Sequence, residues 1–92
     1  MPISTQIGSL IESRPGVHGG RPCIAGTSVS VRRIALYYKS GLIPEEIAQT
    51  FGHLSLAQVH AALTYYHANQ EEIDADLEAE DRATEALEQA NR

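Results

Sequence analysis

The chain has 92 residues and a net charge of −5, with seven Lys and Arg against twelve Asp and Glu. That length makes one small domain with a limited core, which dimerisation would support. No apolar run is long enough to span a membrane, no signal-peptide pattern stands at the amino end, and the single cysteine, Cys23, excludes an intramolecular disulfide framework. A cytoplasmic location is the expectation.

All four prolines and all seven glycines lie at or before Gly52, so turns crowd the first part and the remainder lacks helix breakers. Leu10–Ser13 reads as a strand. Arg14–Gly20 is a turn-rich connection and Pro22–Ile24 a short extended run. Ala25-Gly26 reads as a tight turn, and the polar–apolar alternation of Thr27–Ser30 predicts a second strand, giving a short N-terminal β-hairpin. Ser30 then caps a helix that runs to about Ser40. Val31, Ile34, Ala35 and Tyr38 form its inward face, Arg32, Arg33 and Lys39 point away, and Gly41 ends it.

Gly41–Tyr66 predicts two further helices joined by a tight turn. Pro44 suits the first helical position, and Glu45 and Glu46 favour the first turn. Ile47, Ala48 and Phe51 make an apolar stripe, and Gly52 supplies the left-handed exit. Ser55 and Gln58 have the spacing of a capping box. Leu56, Val59 and Leu63 are assigned inward. The expected fold is mainly α: a three-helix, helix-turn-helix core of homeodomain-like or winged-helix-like type, with the N-terminal hairpin and a C-terminal helical extension. In such a motif the second helix can lie in a DNA major groove, although the same packing also builds plain helical cores and protein-binding modules. Leu56, Val59, Leu63, Tyr66, Gln70, Ile73 and Leu77 continue as a heptad-like seam, with a break near Ala68–Gln70 as the alternative.

Charge divides the chain. Before residue 71 there are three acids against five bases, a balance of +2; from Glu71 onward there are nine acids and only Arg82 and Arg92, a balance of −7. This points to two segments, residues 1–70 as the domain and 71–92 as an acidic helical tail for partner binding, with a solvated, solubilising helix as the alternative. Ile73, Leu77 and Leu87 are the candidate partner-binding residues, suited to a helix-in-groove mode.

Candidate DNA-binding residues are Arg21, Arg32, Arg33 and Lys39 for phosphates, and Gln58, His60 and Thr64 on the outward side of the second motif helix, with Ala57 and Ala61 beside them. Solvated surface charge is the alternative for the cations. That second helix carries neither Arg nor Lys, which weighs against base readout. His53, His60 and His67 recur every seven residues, about 10.5 Å along a helix, too far for one coordination sphere. Cys23 has no activating neighbours in sequence and reads as a core thiol. No nucleophile–base pairing and no phosphate loop is present, so neither enzyme activity nor a cofactor is expected.

The run Arg14-Pro-Gly-Val-His-Gly-Gly-Arg-Pro-Cys-Ile-Ala-Gly-Thr27, with Val29-Ser-Val31, Gly41-Leu-Ile-Pro-Glu-Glu-Ile47 and Ala62-Leu-Thr-Tyr65, resembles the DUF433 family. Its members share a Gly-Gly-Arg/Lys-Pro-x-Ile-x-Gly-Thr-Arg segment, a helix, a Gly-x-Ser-Pro-Glu-Glu-Ile segment and an Ala-Leu-x-Tyr ending. The resemblance implies a small helix-turn-helix protein acting as the antitoxin of a type II toxin–antitoxin pair, binding its own promoter DNA and neutralising a PIN-like nuclease toxin. Two positions depart from the pattern. Ser28 stands in place of the arginine after Gly-Thr, so any contact which that arginine makes to phosphate or partner in the family is absent here. Ile43 replaces the serine before Pro-Glu-Glu, so that helix needs another cap.

The expectation is therefore a homodimeric antitoxin and autoregulator. A stand-alone DNA-binding regulator and a protein-interaction module that never meets DNA are the rival readings; the cation-free second motif helix favours the latter.

Overall fold

The computed structural model describes residues 6–90; Arg92, counted above in the charge of the tail, lies outside them. A 3-10 turn at Ile7–Leu10 leads into β1 (Ile11–Glu12), and another at His18–Gly20 leads into β2 (Cys23–Ile24). Four helices follow: α1 (Val31–Lys39), α2 (Pro44–Phe51), α3 (Leu56–Ala68) and α4 (Gln70–Ala90). The protein is mainly helical, with a short two-stranded antiparallel sheet near its N terminus. No helix among the described residues is long and apolar enough to cross a membrane.

The short N-terminal antiparallel sheet is present, with its first strand inside Leu10–Ser13, but its second strand is the Pro22–Ile24 run and not Thr27–Ser30. β1 pairs with β2, Ile11 opposite Ile24 and Glu12 opposite Cys23, while Thr27–Ser30 contributes only an isolated bridge between Ser30 and Cys23. Local chemistry explains this. Gly26 takes a left-handed φ of 76°, and Thr27 N–H donates back to Ile24 O at 3.1 Å. The Thr27 hydroxyl donates to Ile24 O and accepts from Val29 N–H, as side chains that compete with ladder formation do. Ser30 is then taken by α1: its Oγ accepts from Arg33 N–H at 3.1 Å, an N-cap bond.

The starts of α1, α2 and α3 each have an identifiable device. Ile43 has no capping side chain, but Glu46 reaches back to accept from Ile43 N–H at 3.0 Å, supplying half of a capping box. Leu42, packed on the core, and Ile47, fully buried, occupy the positions of a hydrophobic staple. α2 leaves through Gly52 at φ 74°. Ser55 and Gln58 form the complete box: Gln58 N–H donates to Ser55 Oγ at 3.1 Å, and Ser55 N–H to Gln58 Oε1 at 2.7 Å. Asn69 separates α3 from α4 with φ −131° and ψ 34°. Its N–H and side-chain amide both donate to the last carbonyls of α3, including that of Tyr65. The seam is thus two helices, broken where the alternative placed the break.

The core lies where α3 packs against α1 and α2, with Ile24, Ile34, Ile47 and Val59 fully buried. Three assignments change. Leu56 is 42% exposed; Leu54, just before the cap, enters the core in its place. Tyr38 is 38% exposed, and Tyr37 fills the slot instead, edge-on to Phe51 at 5.5 Å. Ala61 is buried because the segment Ile7–Glu12 packs on that side of α3.

Candidate functional site

α4 begins at Gln70 and lies first along the body, then runs past it. Ile73 is buried in the common core and Leu77 packs half-buried against it. At the helical spacings, Asp74, Asp76 and Glu80 flank that two-residue stripe. Their carboxylates meet cations from the N-terminal segment and α1. Arg21 grips Asp76 with both arms, Nε to Oδ2 at 2.7 Å and Nη2 to Oδ1 at 3.0 Å. Arg32 Nη1 bridges Asp76 Oδ2 at 3.3 Å and Glu80 Oε2 at 3.4 Å. Lys39 Nζ donates to Asp74 Oδ1 at 2.9 Å, and the Tyr66 hydroxyl donates to the same oxygen at 2.8 Å.

The electrostatics follow from these bonds. Lys39 and then Tyr66, by donating hydrogen bonds, hold the Asp74 carboxyl below the usual carboxylate range, and Arg21 does the same for Asp76. Burial, and then the bond to Asp74, pushes the Tyr66 phenol up. Burial likewise pushes up the Cys23 thiol, 1% exposed, which keeps it in the inert form. Beside the seam, a groove of about 530 Å³ runs between the His18–Arg21 segment and α4, with Val31, Tyr65, Ile73 and Ala79 among its walls.

Of the phosphate candidates, Arg21, Arg32 and Lys39 are thus all brought under α4. Arg33 is not: its guanidinium lies 6.0 Å from the Tyr37 ring centroid and 5.8 Å from that of Phe51, with no carboxylate partner among the described residues. Arg14, the remaining cation of the body, pairs with Glu12 at 3.0 Å. The oxygen of Gln58, offered above for base readout, is committed to the cap of its own helix. His60 and Thr64 are exposed on α3, together with Ala57 and His67, a stripe without a cation. Among the partner candidates, Ile73 and Leu77 face the chain's own core, whereas Leu87 is 66% exposed. A division at residue 70 therefore falls before the packed part of α4; every residue from Glu78 to Ala90 is exposed. At Ser28 the side chain is exposed and the backbone carbonyl is the partner of His18 Nε2.

Asp74, Asp76 and Glu80 were not singled out from sequence, where they merge into a general run of acids. Their position on either side of the Ile73–Leu77 stripe is the signal that separates them from the solvated acids further on.

These features describe a small, mainly helical protein in which a terminal acidic helix is laid over a cationic face. The chain belongs to the DUF433 family: residues 11–66 match the family model described as "Protein of unknown function (DUF433)". It is similar to the crystal structure of a DUF433 member protein from Anabaena variabilis ATCC 29413, at 31% identity and a TM-score of 0.68, over 74% of this chain and 67% of that one. No curated protein matches the chain. The family match contains Arg21, Arg32 and Lys39 but ends before the three carboxylates that meet them.

Proposed function

We propose that the chain is the antitoxin of a type II toxin–antitoxin pair, a cytoplasmic homodimer that holds a PIN-like toxin with the far part of α4 and its own promoter with the body. The observation that carries this reading is the unpacked helix from Asp81 to Ala90. It holds three acids and one arginine, and every residue in it is exposed. A helix that short is marginal in water on its own, and a partner groove would supply the packing it lacks. Leu87, with Ala83, Ala86 and Ala90 on the same side, offers the apolar stripe, and the acids flank it for a basic rim.

For DNA, α2, the Gly52–Ser55 turn and α3 serve as the helix-turn-helix. Affinity comes from phosphate contacts by Arg21, Arg32, Lys39 and Arg33, because the exposed stripe of α3 has no cation. That same stripe, and the pairing of three of those cations within the chain, favour the second reading: a protein-interaction module without DNA.

The test compares the full chain with one ending at Glu80, each mixed with the nuclease encoded by an adjacent open reading frame. The full chain is expected to inhibit the nuclease, and the shortened chain to stay folded by circular dichroism yet lose inhibition. Complete inhibition by the shortened chain rules out the arm as the toxin-binding element. A gel shift with the upstream region of the gene, at low salt, decides the DNA half; no binding there leaves the interaction-module reading.

A further inference from the structure

Resting on the phosphate-contact half of that reading, we infer that the first three turns of α4 are an internal competitor for a polyanion surface. The carboxylates of Asp74, Asp76 and Glu80 stand on Arg21, Arg32 and Lys39 where backbone phosphates would stand, so that nucleic acid binds only as α4 lifts away.

The geometry supports substitution of one anion for another. Arg21 presents two parallel N–H donors to Asp76, at 2.7 and 3.0 Å, the bidentate fork that serves carboxylate and phosphate alike. Arg32 is shared between two carboxylates, and Lys39 ends on a third. The cations come from two places, the segment before β2 and the face of α1, and no single acid serves them all; α4 collects them by its own helical spacing. Apart from its ion pairs, the strap has one apolar anchor. Among its large apolar residues only Ile73 is buried; Leu77 is half-buried and the acids are partly open to solvent. Asn69 provides the point about which α4 can leave without disturbing α3, whose C-terminal carbonyls it already satisfies. The strap and the toxin-binding arm are consecutive stretches of one helix: the former ends at Glu80, and Asp81 to Ala90 make none of these bonds.

The test uses the full chain with Asp74→Asn, Asp76→Asn and Glu80→Gln together, and a short mixed-sequence DNA duplex as probe, followed by fluorescence anisotropy at several salt concentrations. A charge-matched control carries Asp81→Asn, Glu85→Gln and Glu88→Gln, which removes the same three charges from the arm. The strap variant is expected to bind the duplex about tenfold more tightly than the wild type, with a salt slope steeper by about two to three, as that many added phosphate contacts require. The control should gain far less, and Arg21→Ala with Arg32→Ala should abolish the strap variant's gain. An equal gain in both triple variants overturns the strap while leaving DNA binding intact. No binding by any variant at low salt, with α4 amides exchanging faster in the strap variant, removes the DNA half of the proposed function and this inference with it. Should the strap triple variant fail to fold, Asp76→Asn against Glu85→Gln makes the same comparison with one charge each.

Discussion

Arg21 and Asp76 are 55 residues apart in sequence and meet through two near-parallel hydrogen bonds, Nε to Oδ2 at 2.7 Å and Nη2 to Oδ1 at 3.0 Å. Asp76 also faces Arg32, so it is the shared node of the seam. Asp76→Ala should therefore release the start of α4 more than Arg21→Ala does, because it leaves Arg21 without a carboxylate and Arg32 with Glu80 alone. Hydrogen exchange is the direct measure: the amides of residues 73–80 should exchange several-fold faster, while those of Ile34 and Val59 hold the rate of global unfolding. A double-mutant cycle between Arg21 and Asp76 should be non-additive. Strict additivity would mean that the pair contributes nothing to holding α4.

Ile73 separates the packed part of α4 from the free part. It is 8% exposed within the common core. Ile73→Ala should cost about 2–4 kcal/mol in urea unfolding, the range for removing a buried aliphatic side chain. Ending the chain at Glu80 should cost less than about 0.5 kcal/mol, since surface segments without packing contribute little. A truncation penalty as large as that of Ile73→Ala would show that the arm is part of the cooperative unit.

Local chemistry makes α1, α2 and α3 legible in the sequence. Ser30, Pro44, Gly52 and the Ser55–Gln58 box each act within four residues, and each stands where its chemistry placed it. Failures occurred where two adjacent residues compete for one slot. Tyr37 and Tyr38 differ by 100° around a helix, and Leu54 and Leu56 straddle a cap, so periodicity alone did not decide between them. The second strand was misplaced for a different reason: Thr27–Ser30 keeps two backbone bonds to Pro22–Ile24, but α1 begins at Val31, so the run ends as a single bridge. The candidate site was half legible. Its cations were identified, but their partners lie 35 to 55 residues away, and block charge carries no information on which acid meets which base.

Gly52 tests whether the α2–α3 turn depends on backbone conformation alone. Its φ is 74°, and a Cβ there would meet no atom within 4 Å. Gly52→Ala should thus destabilise by about 1–2 kcal/mol through left-handed strain, without any steric clash. Gly8 is the internal contrast: it too has open space around it but no left-handed φ. Gly8→Ala should be neutral or slightly stabilising. Equal losses at the two sites in thermal unfolding would remove the backbone explanation.

The docking of α4 should depend on pH from both sides, with the sign fixed by its partners. Asp74 and Asp76 have folded-state values below the ordinary 3.8, so their contribution is complete above that value and is lost as pH falls through the depressed ones. Tyr66 and Lys39 are shifted the other way, above their ordinary 10.0 and 10.5, so their share is complete below those values and is lost as pH rises through the raised ones. A plateau across neutral pH with a shoulder at each end is the expected profile for the amide shifts of residues 73–77 in NMR titration. Asp74→Asn removes the carboxylate that joins Lys39 to Tyr66 and should reduce the alkaline shoulder, leaving the share due to burial of Tyr66, along with part of the acid one. An alkaline shoulder unchanged in that variant would show that Asp74 does not couple the two groups.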